Sequence, residues 1–240
     1  MENESFVAQI YDLVMQGQAA LVHPFNDKVL EGRATRVDLA VLAVQVYHRG
    51  LFSARFAAAN LARCPVPEVR RALLGVVNDE EAKLPGEPPS HCDMMLTFAA
   101  ALELDRDEVI HARPLPNTLV FIDTIMQLSE GHWLEGMSMR ASEIVGPPLG
   151  PLWTDALQRH YGFRPADIVW WTEHGEADVG HSNIALEVYR RYVRDESERE
   201  IALRGVERML AAWRIFYDGI QQGAVDAAAG RDVGFRVPAP

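Results

Sequence analysis

The stretch Trp170-Trp171-Thr172-Glu173-His174-Gly175-Glu176-Ala177-Asp178-Val179-Gly180-His181 decides the fold expected for this chain. Within it, His174, Asp178 and His181 stand at positions i, i+4 and i+7 of a helical pattern. At about 100° of rotation per residue, these positions fall within roughly 60° of one another over about 10 Å of helix axis. The spacing therefore predicts a helix with three metal-binding side chains on one face.

Helical patterns recur on both sides of this stretch, whereas strand patterns do not. One predicted helix runs from Thr35 to Arg63 and begins with a capping box, Thr35 followed by Asp38. A long helix is predicted from about Asn117 to Ile144, and the last from about Asp195 to Gln222. The sequence thus predicts an all-α helical bundle of about seven to nine helices.

No repeat, linker or low-complexity tract divides the 240 residues. We therefore expect a single domain over residues 1–240, with an ordered core over about 4–222 and a loosely held tail over 224–240. The only cysteines, Cys64 and Cys92, do not form a disulfide framework, and no signal peptide or long apolar run is recognised. A cytoplasmic protein is the expectation.

The net charge of -11 argues against a nucleic-acid partner and against an anionic membrane, because both require a basic surface. A small-molecule partner is expected instead. Trp170 stands one turn before His174 and is the first pocket candidate. His48 and Arg49, inside the second predicted helix, are alternatives that would face a cavity and bind a substrate carboxylate.

Other predicted helices can supply partners to the face at 174–181. Glu81 closes one helix and His91 opens the next, ten residues later, across a proline-rich turn. Glu143 lies near the end of the long helix. Glu80 competes with Glu81 as a ligand, and the ten-residue spacing favours Glu81. Three histidines and three carboxylates, namely Glu81, His91, Glu143, His174, Asp178 and His181, are then a six-ligand set suited to two iron or manganese ions.

The same residues resemble those of the haem-oxygenase-like di-iron oxidases, which share their fold with the TenA and PqqC proteins. The resemblance covers roughly residues 20–220, and Thr172 to His181 is its densest part. Within the family, the chain is most similar to the chlamydial death-domain-associating protein group, which makes para-aminobenzoate. Carried over residue by residue, the family's ligands fall on the six residues named above. The resemblance implies two iron ions per chain, or an iron and manganese pair, with O₂ as co-substrate and a homodimeric assembly.

The chain departs from that group where the para-aminobenzoate makers would carry tyrosines that are consumed in the reaction. Those positions hold Asn26, Ser142 and Trp170, and the expected lysine is replaced by Trp153. The departures predict chemistry on an external small molecule, an amine, amino acid or carboxylic acid, by N-oxygenation, desaturation or oxidative carbon–carbon cleavage. Asn26, Ser142 and Trp170, together with His48, are the candidate substrate-pocket residues.

Two other readings stay open. One is a cofactor-independent oxidase similar to PqqC or a thiaminase similar to TenA, in which Cys92 would be the nucleophile. No activating base stands at a defined spacing from Cys92, so an inert buried thiol is favoured. The other is a non-catalytic interaction protein, which the filled ligand positions disfavour.

Overall fold

The helix predicted from Thr35 to Arg63 is two helices that meet at Gly50. A computed structural model describes residues 2–81 and 89–237, apart from the side chains of residue 2 and of 175–179. In it the first helix runs over Arg36–Gly50 and the second over Ser53–Arg63. Thr35 caps the first, with the predicted capping box to Asp38 present. The interruption falls at a glycine, a poor helix former, whose absent Cβ would lie 3.2 Å from Cys92 Sγ.

Fourteen α-helical segments and two 3₁₀ turns make up the regular structure of the described residues, and no strand occurs among them. The all-α prediction is confirmed. The count exceeds seven to nine because the structure divides helices that the sequence pattern joined. In chain order the helices are α1 Glu2–Gly17, α2 Ala19–Val22, α3 Pro24–Leu30, α4 Arg36–Gly50, α5 Ser53–Arg63, α6 Pro67–Glu81, α7 His91–Ala101, α8 Arg106–His111, α9 Pro116–Glu130, α10 Trp133–Gly136, α11 Ser138–Ser142, α12 Gly146–Tyr161, α13 Val169–Tyr192 and α14 Glu196–Ala228.

The long helix expected over Asn117–Ile144 is interrupted at Gly131. The backbone at Gly131 leaves the helical region, with φ -79° and ψ -143°, and α9 ends at Glu130. His132 then caps α10, because its side chain accepts the Leu134 backbone N–H. α11 follows after Met137, and residues 143–145 form a 3₁₀ turn that leads directly into α12. The prediction of one continuous helix is therefore wrong, and the carboxylate-bearing end of the segment is a separate short element.

The final helix is longer than predicted and the segment after it is anchored. α14 begins at the expected cap, where Asp195 accepts the Glu198 N–H at 2.9 Å, but it continues to Ala228. Beyond it Val233 is buried, and the Gly234 carbonyl accepts the Arg113 backbone N–H at 3.1 Å. Part of the segment expected to be a loosely held tail, residues 224–235, is therefore packed on the rest of the protein, and residues 238–240 lie outside the described part.

The buried hydrophobic side chains form one cluster that extends through nearly every helix. α14 packs against α4, α9, α10 and α11, and α13 packs against α11 and α12. Where α14 crosses α10, a Cβ on Gly205 would lie 2.9 Å from Glu135 Cα. None of the described helices combines the length and the apolar character needed to cross a membrane. The packing brings α4, α6, α7, α11 and α13 around one interior region.

Candidate metal centre and substrate cavity

Glu80 lies on the apolar face of α6. The buried residues of this helix are Val69, Leu73, Val76 and Glu80, which follow the i, i+4, i+7, i+11 spacing of one helical face. Glu81 is one residue further, about 100° round the axis, and it is exposed. The preference for Glu81 is therefore corrected in favour of Glu80, the carboxylate that reaches the interior.

His91 is held against Glu80 at the start of α7. Ser90 caps this helix by accepting the Asp93 backbone N–H, which places His91 at the first helical position. His91 Nδ1 lies 2.9 Å from Glu80 Oε2, and both side chains are buried. The predicted meeting of α6 and α7 across the proline-rich turn is thus present, although residues 82–88 of that turn lie outside the described part.

His174 stands beside His91 and is oriented by the preceding turn of its own helix. The two imidazole centroids are 4.1 Å apart, with the rings tilted by 43°. His174 Nδ1 lies 2.8 Å from the Trp170 carbonyl oxygen, and the Trp170 indole stacks on the imidazole at 3.8 Å. Because a carbonyl can only accept, Nδ1 carries the proton and Nε2 keeps a lone pair. This is the arrangement typical of a metal-binding imidazole.

His181 connects α13 to the ends of two other elements. Its Nε2 lies 3.1 Å from Asp79 Oδ2 of α6. Its Nδ1 lies 3.6 Å from Glu143 Oε2, which is ion-pair range and longer than a hydrogen bond. His181 is therefore next to two carboxylates from different elements. The side chain of Asp178, the third residue of the predicted face, lies outside the described part.

Arg140 joins the two carboxylates and was not predicted from the sequence. Its guanidinium is 2% exposed, and Nη1 lies 2.9 Å from Glu143 Oε1 and 3.9 Å from Glu80 Oε1. The sequence does show Arg140 three residues before Glu143, a spacing that allows an ion pair on a helix. Such pairs are common on exposed helices, so the spacing alone does not indicate a buried arginine. Here every residue of α11 is buried, so the pair lies in the interior.

The electrostatics of this cluster favour an ionised Glu80 and neutral imidazoles at His174 and His181. Burial alone would raise the pKa of Glu80, but the His91 hydrogen bond and the charges of His91 and Arg140 outweigh it and lower that pKa. Burial lowers the pKa of His174 well below its ordinary value, and the adjacent His91 adds to the effect. Burial and then Arg140 lower the pKa of His181. Ionised carboxylates and neutral imidazoles are the forms that bind metal ions.

The donor types fit iron. Glu80, Glu143 and three imidazoles provide the oxygen and nitrogen ligands that non-haem iron accepts. Among the described side chains, no group of three or more His, Cys, Asp or Glu has metal-site spacing. Arg140 neutralises both carboxylates, and the Asp178 side chain is outside the described set. The described residues could hold a metal ion if that ion replaced the Arg140 guanidinium as the partner of Glu80 and Glu143.

A cavity of about 100 Å³ adjoins the cluster, and Glu80, Glu143 and His174 form part of its wall. Trp170 and Ser142, two of the residues predicted for a substrate pocket, line it. The remaining wall is mainly aromatic and aliphatic. It consists of Gln18, Ala20, Leu42, Val46, Arg49, Ser53, Met139, Val145, Gly146, Leu149, Gly150, Trp153, Trp171, Trp213, Phe216 and Tyr217.

His48 and Asn26 are not part of this wall, which corrects their prediction as pocket residues. His48 Nε2 contacts the Val109 carbonyl oxygen at 3.0 Å, on the side of α4 that faces α8. Asn26 is fully buried and donates through Nδ2 to the Ala19 carbonyl at 2.6 Å. One residue beyond His48, about 100° round α4, Arg49 does line the cavity.

Cys92 has the properties of an inert thiol. Burial and then the negative charge of Glu80 raise the pKa of Cys92 to about 12. A thiol with so high a pKa carries almost no thiolate near neutral pH, and the thiolate is the nucleophilic form. The raised pKa therefore gives no support to Cys92 as a catalytic nucleophile.

The chain belongs to a family of iron-containing redox enzymes with a haem-oxygenase-like fold. The model of that family matches residues 40–214, which include every candidate ligand described above. The resemblance drawn from the motif at 172–181 is therefore confirmed at the level of the family.

Two relatives with named activities match most of the chain. It is 28% identical over 198 residues to a 4-aminobenzoate synthase of Chlamydia muridarum, a match that covers 81% of this chain and 82% of the relative. It is 29% identical over 184 residues to a pyrroloquinoline-quinone synthase of Pseudomonas aeruginosa, which covers 74% and 72% of the two chains. These names belong to the relatives, and the two activities differ from one another.

The fold is also that of solved structures. A domain from Shewanella denitrificans described as having a heme oxygenase-like fold superposes with a TM-score of 0.76. The superposition covers 95% of this chain and 94% of that domain, at 20% sequence identity. At that identity the likeness establishes the fold alone, and the predicted haem-oxygenase-like bundle is confirmed.

Proposed function

We propose that this chain is a dinuclear non-haem iron oxidase or oxygenase that uses O₂ to oxidise an external small molecule, an amine, amino acid or carboxylic acid. The family supports iron-dependent redox chemistry in general. The observation that carries the proposal is the contact of Glu80, His91 and His174 at the wall of the cavity. A substrate in the cavity would then lie next to the oxidising centre.

The proposed ligands are Glu80, in place of the predicted Glu81, together with His91, Glu143, His174, Asp178 and His181. A pair of iron ions, or iron with manganese, would supply the electrons that reduce O₂. The Trp170 carbonyl fixes the His174 tautomer so that Nε2 is the free donor atom. The contact of Asp79 with His181 Nε2 leaves Nδ1 as the nitrogen on the Glu143 side.

The cavity wall would keep bulk water away from the reacting atoms. Trp153, Trp170 and Trp171 form a continuous series of ring contacts next to His174. Trp153 stacks on Trp171 at 5.5 Å, and Trp170 meets Trp171 edge-on at 5.3 Å. Exclusion of water protects a reactive oxidant and strengthens electrostatic interactions inside the site. These aromatic residues therefore support an enclosed oxidation.

An external substrate is proposed because tyrosine is missing from positions 26, 142 and 170. Ser142 and Trp170 line the cavity without a phenol, and Asn26 is hydrogen-bonded away from it. The intact mass of the protein should stay unchanged after iron loading and exposure to O₂. Loss of a side-chain fragment under these conditions would instead support self-modification, for which Tyr217 in the cavity wall would be the first residue to examine.

The proposal is tested by anaerobic loading with Fe(II), removal of excess metal, measurement of bound iron, and admission of O₂ with a panel of amines, amino acids and carboxylic acids. About two iron ions per chain and substrate-dependent O₂ consumption are expected. Retention of less than one iron per chain, with no O₂ consumption for any of the substrates, would refute the proposal.

Adjacent residues provide a matched pair of variants. Glu80→Gln keeps the shape of a buried side chain but removes its charge, and it should weaken iron binding at least about tenfold. Glu81→Gln makes the same chemical change on an exposed side chain and should leave iron binding unchanged. The opposite result would restore Glu81 as the ligand.

A metal-independent oxidase is the second candidate. The observation that favours it is the buried Arg140, which already neutralises the carboxylates without a metal ion. A relative named pyrroloquinoline-quinone synthase is consistent with oxidation on this fold. Protein treated with a chelator would then keep its full activity, whereas the di-iron proposal requires that the activity be lost and restored by Fe(II).

The proposed partner is the small-molecule substrate, and the proposed assembly is a homodimer, as the family resemblance implies. Light scattering of the purified chain would measure a mass twice that of the 26.8 kDa monomer if the assembly is correct. A monomer mass would refute the dimer without affecting the proposal for the metal centre.

A further inference from the structure

Arg49 is a buried cation with no carboxylate of the described residues within ion-pair distance. The residue is 6% exposed, and its buried Nε has no hydrogen-bond partner among the described residues. Its guanidinium carbon lies 5.1 Å from the centre of the Trp213 ring, so the cation is held over an aromatic face. Buried arginines are normally paired, because an isolated buried charge is costly. An unpaired buried arginine therefore indicates a ligand-binding group.

The position of Arg49 is suited to a ligand in the cavity. Arg49 lines the cavity together with Glu80 and His174. Tyr217, another wall residue, carries a hydroxyl that can donate a hydrogen bond. Arg49 and Tyr217 both contact the Trp213 ring, whose centre lies 5.1 Å from the Arg49 guanidinium carbon and 6.2 Å from the centre of the Tyr217 ring. Two hydrogen-bond donors are thus available beside the same aromatic ring of the cavity wall.

The surroundings select the type of anion. A guanidinium binds a carboxylate through two parallel hydrogen bonds, and the Tyr217 hydroxyl can donate a third. The charges of Glu80 and Glu143 act on Arg49 from the same interior region and would repel a dianion such as phosphate. Among the described residues, no lysine lines the cavity. A single negative charge on a planar group is the best match.

The size of the cavity limits the rest of the molecule. It measures about 100 Å³, and Leu42, Val46 and Trp213 belong to its apolar wall. An engineered protein cavity of about 150 Å³ accepts benzene. A small apolar or aromatic body fits this space, whereas a long chain or a peptide does not.

We infer that the cavity binds a small monocarboxylic acid, with its carboxylate on Arg49 and Tyr217 and its apolar body towards His174. The inference rests on the proposed function only in describing the bound acid as the substrate. Binding itself depends on Arg49 and requires no metal. The carboxylate would be the anchor, and the part of the acid nearest His174 would be the part exposed to the oxidising centre.

The test measures binding of benzoate, benzamide, butanoate and butanamide to the full-length chain, by calorimetry and by quenching of tryptophan fluorescence. It is made on chelator-treated protein, because a metal ion would bind carboxylates by itself, and is repeated on iron-loaded protein under nitrogen. At least one acid should bind about tenfold or more tightly than its amide, as a charge-assisted hydrogen bond predicts. Equal binding of acid and amide in both pairs would refute the inference.

Arg49→Gln should reduce the preference for the acid to less than threefold. The matched control is Arg55→Gln, because Arg55 also lies over an aromatic ring, that of Phe52 at 5.0 Å, but is exposed. The control should bind the acid as the parent protein does. If Arg49→Gln keeps the full preference while its thermal unfolding stays cooperative, Arg49 is not the anchor. Failure of iron binding would refute the proposed function and leave this result intact.

Discussion

The Trp170 carbonyl oxygen and His174 Nδ1 are 2.8 Å apart, and the rings of the same two residues stack at 3.8 Å. One residue therefore holds the histidine in two ways, through its backbone and through its side chain. The backbone contact persists in any variant at position 170, but the ring contact does not. This separation allows the contribution of the ring to be measured alone.

Trp170→Ala should weaken iron binding by about tenfold, whereas Trp170→Phe should preserve most of it, because a phenyl ring can still support the imidazole. Titration with Fe(II) under nitrogen measures the affinity. Trp133→Phe, a change of a buried tryptophan that is not part of the cavity wall, controls for general loss of packing. Equal affinities for the Ala and Phe variants would mean that the ring contributes nothing to the site.

Arg140→Met should destabilise the metal-free protein by about 3–5 kcal/mol, because it leaves Glu80 and Glu143 without their common cation in the interior. Urea unfolding measures the change. The exposed pair of Arg159 and Asp155 provides the comparison, and Arg159→Met should cost less than about 1 kcal/mol.

Iron should recover much of the stability that Arg140→Met loses, since a bound cation neutralises the same carboxylates. Unfolding in the presence and absence of Fe(II) under nitrogen tests this. A variant that remains equally unstable with iron would show that the metal ion does not take over the role of the guanidinium.

The metal-free protein should lose stability in acid. The pKa values of His174 and His181 lie below the ordinary 6.5, mainly because of burial. Below pH 6.5 the unfolded chain therefore binds protons that the folded protein does not. The free energy of unfolding then decreases as the pH is lowered. The lowered pKa of Glu80 adds a second loss, which begins as the pH falls below its ordinary 4.5.

Urea unfolding between pH 5 and 8 measures the first of these two losses, with a slope of up to about 1.4 kcal/mol per pH unit for each histidine. His174→Asn should flatten the slope. His160→Asn changes an exposed histidine and should leave the slope as it is. If His174→Asn leaves the slope unchanged, the lowered pKa of His174 does not cause the loss of stability in acid.

Gly205→Ala should destabilise the protein by about 1–3 kcal/mol, because the new methyl group would lie 2.9 Å from Glu135 Cα, a backbone atom that cannot rotate away. Gly75→Ala makes the same change in α6, where the methyl group meets nothing within 4 Å, and should stabilise the protein by about 0.5–1 kcal/mol. Thermal unfolding of both variants measures the difference. Similar effects of the two changes would contradict the close packing of α14 on α10.

The sequence predicted the helical class, and it also predicted the contact of α6 with α7 through His91, because both depend on local periodicity and turns. The choice between Glu80 and Glu81 was also open to periodicity, since Glu80 continues the apolar face of Val69, Leu73 and Val76. The spacing to His91 was given more weight, although an irregular turn does not fix that spacing. Position on the helical face was the better criterion.

Helical periodicity could not predict that Arg140 is buried or that His48 lies outside the cavity wall. A single arginine in a short segment does not reveal whether its neighbours bury it, since burial depends on how α11 packs against α13 and α14. The choice between His48 and Arg49 depends on a rotation of about 100° of α4 about its axis. Almost every residue of α4 is buried, so its hydrophobic pattern gives little indication of which side faces the cavity.

The break at Gly131 has a consequence for how this part of the chain can change by insertion or deletion. In one continuous helix, a residue inserted anywhere in α9 would rotate each later side chain by about 100° and move Glu143 along the axis by about 1.5 Å. Because α9 ends at Glu130 and α10 is capped anew by His132, such a change can be absorbed at the junction. The orientation of Glu143 is therefore independent of the length of the helix that precedes it.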